Sequence, residues 1–487
     1  MHNRTDPIIA ISTAPGKGAV GIVRISGNNL QKFISYISPT IIEDRKVKFL
    51  KLKDTDGLLI DEVILLYFRG PHSFTGEDIL EIQGHGGPIV LQRIIKYCLK
   101  ISKLIYKSNK TEFQVLPQLR IAYPGEYSER AFYNNKIDLL QAEAISDLID
   151  ASTELASLGA SRSLSGEFSK EINILLEEIT RTRVFIEAYI DFPEEEIGEF
   201  ELNQIKKRLL LEIDITNKLL NKTKNGLLLR DGVNTVITGQ PNAGKSSIMN
   251  ELCNEEISIV TDIEGTTRDI VKQQLQIEGI PINLIDTAGI NYNEDKKVNL
   301  VEKIGIEKAW KEIGTAEIII FVHDITKSTE KSYKNNNKEI LKKINENRNK
   351  YSKIIHVLNK ADLINNQKDI NEYQIDLNEL YHIETLVISI KNAESLDHLK
   401  ERILLEIGWS TDSNENVHIA RTRHLDSISK VKEHLNVAVN LLDDQILSLE
   451  FIAEELRLVQ RALSEITGEF STEDLLGEIF SKFCIGK

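Results

Sequence analysis

Cysteine is scarce in this chain. Three residues of 487, Cys98, Cys253 and Cys484, are too few and too scattered for a disulfide framework or a zinc site. A reducing cytosol is the simplest setting. Net positive charge is also missing, because 60 basic side chains face 74 acidic ones for a formal charge of -14. That balance excludes a strong overall pull toward nucleic acid; any RNA contact needs a local patch or a partner. Long apolar runs are absent too. IIIFV at Ile318–Val322 is far too short to cross a membrane. The opening MHNRTDPIIAIS lacks the apolar stretch of a secretory signal. The expectation is a soluble cytoplasmic protein with no membrane contact. What the chain does have is length and 41% hydrophobic content, enough for full cores in roughly two to four domains.

Four stretches differ in pattern. Residues 1–119 carry short apolar runs (IIAIS, GIVRIS, VKFLKL, EVILLYF, ILEIQ) broken by turn residues, then IVLQRIIKYCLKIS from Ile89. This predicts an α+β domain with a mostly antiparallel sheet and a packed helix. Residues 120–228 turn helical, with Ile172, Leu176, Ile179, Ile186 and Tyr189 as a stripe, extended by Leu209, Ile213 and Leu220. Residues 229–408 alternate strands and helices. VNTVITG, PINLID, AEIIIFVHD, KIIHVLN and TLVIS are the near-continuous apolar runs of parallel strands covered on both faces, so this is a doubly wound α/β domain. Residues 409–487 are helical again, with stripes through Leu425 to Ile446 and Leu449 to Leu463. The economical arrangement packs the two helical stretches on each other, with the α/β domain inserted between them. The Lys/Asn-rich KSTEKSYKNNNKEILKKINENRNK fits a solvated loop and helix face better than an RNA-binding patch.

GQPNAGKSS, Gly239 to Ser247, carries the chemistry. The pattern G-x-x-x-x-G-K-[ST] cradles phosphates with backbone N–H groups at a helix start. Lys245 is placed for the β- and γ-phosphates, and the Ser246 hydroxyl for Mg²⁺. Asp286 opens DTAG after a strand, and Thr267 in GTTRD offers a second hydroxyl to the metal. NKAD places Asp362 to accept two hydrogen bonds from guanine, which adenine cannot donate, so GTP is selected over ATP. Lys360 lies along the base. Many GTPases follow DxxG with a glutamine that orients water; here Ile290 stands there, and no arginine finger is marked. Glu294, Asp295 and Glu302 are the candidate acids.

The whole chain resembles a known family, the tRNA uridine-34 modification GTPases (MnmE/TrmE). The resemblance rests on GKGAVGIVRISG, SFTGEDILEIQGHGG, PGEYSERAFYNNKIDLLQAEAISDLIDA, YIDFPEEEI, the GTPase motifs and the terminal FCIGK. It implies a folate-binding-like N-terminal α+β domain that forms a homodimer, a helical domain made of two segments, and an inserted P-loop GTPase domain. It implies GTP contacts at Asn242, Ala243, Gly244, Lys245, Ser246 and Ser247, and at Thr261, Asp262, Ile263, Glu264, Gly265, Thr266 and Thr267. Further contacts are implied at Asp286, Thr287, Ala288, Gly289, Asn359, Lys360, Asp362, Ser389, Ile390 and Lys391. Ile390 replaces the family's usual alanine. Mg²⁺ falls to Ser246 and Thr267. K⁺ falls to Asn242, Thr261, Ile263 and Thr266, where it stands in for the missing arginine. Glu302, in EKIGIE, is the implied water-orienting acid.

The resemblance also assigns a reduced folate, 5,10-methylenetetrahydrofolate or 5-formyltetrahydrofolate, to Arg24, Glu81, Lys136 and the terminal Lys487. The implied activity attaches an aminomethyl or carboxymethylaminomethyl group to C5 of wobble uridine in tRNA, in a heterotetramer with an FAD-dependent partner, GidA/MnmG. Cys484 is either a packed side chain or a participant in that chemistry; a flexible end beside Lys482 and Lys487 favours a thiolate. Cys98 and Cys253 read as packing, and His85 in QGHGG as structural or folate-neighbouring rather than a metal ligand.

Overall fold

The computed structural model describes residues 5–108, 111–192, 199–255, 271–286, 300–364, 370–375, 377, 384–409, 417–443, 449–469 and 473–486. They belong to two compact units. One holds residues 1–146, 163–212 and 433–487; the other holds 147–162 and 213–432.

The first unit is built on eight strands: β1 (Ile8–Ile11), β2 (Gly18–Gly27), β3 (Lys48–Lys53), β4 (Leu59–Phe68), β5 (Asp78–Gly86), β6 (Ile105–Ser108), β7 (Thr111–Gln114) and β8 (Arg120–Ile121). Six of them form a sheet in the order β3-β4-β5-β2-β1-β8, while β6 and β7 form a separate hairpin. All pairs in the six-stranded sheet are antiparallel except β1 with β8. The expected strand runs lie in this sheet; the hairpin and β8 were not anticipated, being short and polar. Alternation gives the sheet two characters. Ile9, Val23, Ile25, Leu80 and Ile82 face the helix Pro88–Ser102, whose Leu91, Ile94, Cys98 and Ile101 step by three or four. Cys98 is fully buried there, which pushes its thiol up and keeps it inert. Ile8 and Ala10 instead pack with Ala122 and Tyr127.

The helices Glu167–Asp191 and Leu449–Thr467 belong to the same unit and are held together by Gln460, which meets Arg183 at 2.6 Å and Thr180 at 2.7 Å. Their buried stripes run through Ile172, Leu175, Ile179, Thr182 and Ile186, and through Ile452, Leu456, Val459 and Leu463. Along the helix Glu199–Asp231 the buried edge differs from the expected one by a residue. Leu209, Glu212, Thr216, Leu219 and Thr223 are buried, whereas Ile213 and Leu220 are only half-buried. Apolar periodicity does not mark this edge, because three of its five residues are polar. Its polar members are paired: Thr182 Oγ1 donates to Glu212 Oε1 at 2.6 Å, and Thr223 donates to Leu219 O at 2.8 Å.

Burial raises the Glu212 carboxyl from 4.5 to about 7, partly opposed by the Thr182 hydrogen bond. A folded-state value above the unfolded one favours the neutral acid. The stability it contributes is therefore full below about pH 4.5 and is lost as pH rises through 7. The difference across that window is roughly 3 kcal/mol at most. Glu212→Gln keeps the shape and the acceptor. It is expected to flatten the pH dependence of urea unfolding between about pH 4.5 and 7, with stability gained at and above neutral pH. An unchanged pH slope would refute this assignment.

The second unit contains β9 (Val233–Thr238), β10 (Val271–Ile277), β11 (Ile280–Asp286), β12 (Ile318–Asp324), β13 (Lys353–Asn359) and β14 (Leu386–Val387), ordered β10-β11-β9-β12-β13-β14. All neighbours are parallel except the edge pair β10 and β11. The buried run Ile318 to Val322 is apolar because helices cover both faces. On one side Ile319 and Phe321 meet Ile340, Leu341 and Ile344 of the helix Lys331–Asn347. The Lys/Asn-rich stretch is thus largely a helix with one buried edge, as a solvated helix face requires. β10, read VKQQLQI, was not foreseen: its glutamines hide the alternation that buries Leu275 and Ile277. Register places Asp286 beside Ile237, and Asp324 beside Asn359. The carboxyl ends of the parallel strands therefore form one polar rim, where open α/β sheets bind ligands.

A candidate nucleotide site and an N-terminal ion pair

The rim is organised by the loop between β9 and the helix Lys245–Glu255. Two glycines there are sterically required. A Cβ on Gly239 would lie 2.4 Å from Val322 O, and one on Gly244 would lie 2.1 Å from Asn359 Nδ2. Asn359 Nδ2 donates to Ala243 O at 2.9 Å, tying β13 to the loop. Lys245 is 8% exposed and its Nζ donates to Gly239 O and Gln240 O, both at 3.0 Å. Burial lowers the Lys245 ammonium below its ordinary value, against the pull of Asp286. The Ser246 hydroxyl donates to Asp286 Oδ2 at 2.7 Å. A hydroxyl and a carboxylate side by side are hard oxygen donors, the set that Mg²⁺ prefers.

The guanine-side residues converge beyond β13. Asp362, in the 3₁₀ turn Ala361–Leu363, accepts from Ser389 Oγ at 2.9 Å and pairs with Lys391 Nζ at 2.9 Å. The Lys391 hydrogen bond, then Ser389, hold its carboxyl below the usual range. Lys360 bridges the two halves: Nζ reaches Asn242 O at 2.7 Å and Asp324 Oδ2 at 2.6 Å. Asp324 was not singled out from sequence, although its position closing AEIIIFVHD was a usable signal. Burial raises its carboxyl, but Lys360 and Thr326 outweigh that and lower it, so it is an anion. Asn242 and Lys360 both hold left-handed backbone, with φ of 64° and 69°.

On the first unit's sheet, Arg24 and Glu81 are register partners of β2 and β5. Arg24 Nε donates to Glu81 Oε1 at 2.9 Å, and both side chains stay partly exposed, at 24% and 13%. Tyr127 is fully buried and its hydroxyl donates to Arg24 O at 2.6 Å. Lys136 lines a different feature, a cavity of about 460 Å³ with Tyr133, Asp138, Gln141, Asn173 and Glu469. Its Cε also passes beside Gly76. The described residues show no hydrogen bond or ion pair between Lys136 and the Arg24–Glu81 pair. His85 is bound by Asp61, Nδ1 to Oδ1 at 2.7 Å, and no group of three potential metal ligands occurs among the described residues.

The family model of the MnmE helical domain matches residues 139–484, and that of the GTP-binding protein TrmE N-terminus matches residues 7–136. A tRNA modification GTPase MnmE of Acidovorax sp. (strain JS42) is 43% identical over 494 residues, covering 100% of both chains. One of Paracidovorax citrulli is 44% identical over 489 residues, again covering 100% of both. The chain belongs to the MnmE family of tRNA modification GTPases. Among solved structures, Aquifex aeolicus Era bound to GDP·AlF4⁻ is similar at 26% identity, over 41% of this chain and 65% of that one, with a TM-score of 0.29.

In this MnmE family member the structure gathers Asn242, Ala243, Gly244, Lys245, Ser246, Asp286, Asn359, Lys360, Asp362, Ser389 and Lys391 at the rim described above. Ser247 and Ile390 lie in the same segments. Thr261 to Thr267, Thr287 to Gly289, Ile290, Glu294, Asp295 and Lys487 lie outside the described residues. Glu302 falls on the helix Leu300–Thr315, at a position whose side chain is outside the description. Cys484 is exposed, but the end that carries it is anchored. Gly125 N donates to Cys484 O at 3.3 Å, Ile485 bridges to Pro124, and a Cβ on Gly486 would lie 2.2 Å from Ile11 O. Lys482 pairs with Glu478 at 2.9 Å. Cys253 is half-buried and donates to Gln273 Oε1 at 2.8 Å. No described helix is long and apolar enough to cross a membrane.

Proposed function

We propose that this GTPase works in the cytoplasm as one subunit of a complex that adds an aminomethyl-type group to C5 of wobble uridine 34 in certain tRNAs. Its copies form a homodimer, and its partner is the FAD-dependent GidA/MnmG protein. The observation that carries the GTP reading is the clustering at one rim of Lys245, the Ser246–Asp286 pair and Asp362. Full-length similarity to proteins named tRNA modification GTPase supports the tRNA-modifying role.

Each residue has a task in this reading. The loop N–H groups and Lys245 bind the phosphates and set positive charge where negative charge develops in phosphoryl transfer. Ser246, Asp286 and Thr267 would hold Mg²⁺, which supplies charge neutralisation when bound. Asp362 accepts from the guanine edge, Ser389 and Lys391 keep it an oriented anion, and Asn359 keeps the loop shut against β13. Lys360 packs along the base while tethering Asn242 to Asp324. Glu302 orients the attacking water in place of the glutamine that Ile290 displaces. K⁺ at Asn242, Thr261, Ile263 and Thr266 would add the positive charge of the missing arginine. GTP turnover is therefore expected to be faster in KCl than in NaCl at equal ionic strength. Equal rates in the two salts would end the potassium assignment.

Arg24, Glu81, Lys136 and Lys487 would bind the reduced folate. A guanidinium and a carboxylate left partly exposed suit a pterin with both acceptors and donors, and lysines suit the glutamate tail. Cys484 would serve the modification chemistry beside that folate. The test is thermal unfolding with 5-formyltetrahydrofolate. A rise in melting temperature is expected for the parent chain and a much smaller one for Glu81→Gln. No rise at millimolar folate would count against the tRNA-modifying role while leaving GTP hydrolysis standing.

A further inference from the structure

A buried chain of polar groups runs from the sheet interior to the phosphate loop. Gln240 Nε2 donates to Tyr333 O at 2.8 Å and to Asn337 Oδ1 at 2.7 Å. Asn337 Nδ2 lies 3.2 Å from His323 Nδ1, and His323 Nε2 lies 3.0 Å from His356 Nδ1. Gln240, Asn337, His323 and His356 are 9%, 3%, 0% and 3% exposed. The Gln240 main chain belongs to the nucleotide machinery, since its carbonyl accepts from Lys245 Nζ.

The direction of this chain follows from one atom. A backbone carbonyl only accepts, so the Gln240 nitrogen must face Tyr333 O. That nitrogen then needs the Asn337 oxygen, which turns the Asn337 nitrogen toward His323. His323 Nδ1 must accept, so its proton sits on Nε2 and is donated to His356 Nδ1. Two amides and two imidazoles are thereby oriented with no choice left. The scheme requires neutral rings, and burial supplies them: it lowers His356 to about 4 and His323 well below its ordinary value, with His356 adding to the latter. The helix Lys331–Asn347 also grips the other side of the site, because the Tyr333 hydroxyl accepts from Asp324 N at 2.7 Å while Asp324 holds Lys360.

We propose that Asn337 and Gln240 are positioning residues for GTP binding: Asn337, backed by the His323–His356 pair, accepts from the Gln240 side chain and holds it against Tyr333 O, and so fixes the carbonyl that aims Lys245. This rests on the GTP reading above and adds residues outside the nucleotide motifs to it. Neither residue touches nucleotide through its side chain in this scheme; both act through Lys245 and the loop.

The experiment uses the full chain and a fluorescent GTP analogue, with steady-state turnover alongside. Gln240→Met and Asn337→Leu are each expected to raise the dissociation constant and KM about tenfold, the effect of one lost buried hydrogen bond. Turnover at saturation should fall by no more than KM rises, because the substituted side chains act through Lys245 and do not touch the phosphates. The double variant should be no weaker than the weaker single one, because both changes break the same link. Affinities within about twofold of the parent overturn the proposal, as do additive losses in the double variant. A fall in saturated turnover with KM unchanged overturns it too. If Asn337→Leu fails to fold, Gln240→Met decides alone: a tenfold loss of affinity supports the proposal and an unchanged affinity overturns it. A parent chain that binds no GTP overturns the GTP reading and this proposal together, whereas a parent that binds alongside indistinguishable variants overturns only the positioning role.

Discussion

Asp362→Asn is expected to lower GTP affinity on the order of 10⁴-fold, the penalty for leaving a matched polar edge unpaired, and to let xanthosine triphosphate bind instead. Guanine offers two donors, N1–H and the exocyclic amine. A carboxylate offers two acceptors and satisfies both. The structure keeps Asp362 ready for this, with one oxygen on Ser389 Oγ and the other on Lys391 Nζ. Lys391 and Ser389 favour the ionised form, so no protonation competes with nucleotide binding near neutral pH. An asparagine there must present its N–H₂ to one of guanine's donors, and two donors face each other. Xanthine replaces the exocyclic amine with a carbonyl, which the new amide can bind. Competition of each triphosphate against labelled GTP measures the exchange. Because Asp362 lies at an exposed turn, folding should be little changed, and a variant that still prefers GTP would remove Asp362 from the base site.

Lys245→Met is the second large effect, a fall in kcat/KM of roughly 10² to 10⁴. Each hydrogen bond from a charged group contributes about 1.5–3 kcal/mol, and this ammonium makes two to the loop itself, at Gly239 O and Gln240 O. Removing it takes a charged donor from Gly239 O and leaves Gln240 O with Ala243 N alone, at 3.3 Å, and it leaves the phosphates without their nearest buried cation. Burial makes the charge count for more, since little water screens it. Arginine should not rescue the loss: Lys245 is only 8% exposed, and a forked guanidinium is bulkier than an ammonium and cannot repeat its contacts. Single-turnover hydrolysis with GTP in excess of the dissociation constant separates binding from chemistry. A loss smaller than tenfold would mean that Lys245 serves the loop and not the nucleotide.

Some of this protein was open to reading from residue order alone. The loop glycines, Lys245, Ser246, Asp286, Asn359 and Asp362 are legible as candidates because each stands at a set distance from the end of a strand-like apolar run. Parallel strands buried on both faces also read plainly, as in Ile318 to Val322. The physical reason is that a phosphate-binding turn and a buried strand are local: their demands on backbone angle and hydrophobicity fall on neighbouring residues.

Other features became visible only when distant segments met. The Arg24–Glu81 pair depends on antiparallel register across 57 positions. Glu212 and Thr182, on separate helices, are buried only as partners, and apolar periodicity marks neither. Asp324 becomes the anchor of Lys360 because β12 and β13 end level with each other. Asn337, inside a stretch rich in lysine and asparagine, looks solvated until the helix turns that edge onto the sheet. Polar burial has no pattern along the chain, since its cost is offset by a partner whose position only the tertiary fold decides. Sequence therefore determined the nucleotide chemistry and the kinds of elements present. The tertiary structure decided which polar groups share an interior, and with them how the phosphate loop is held.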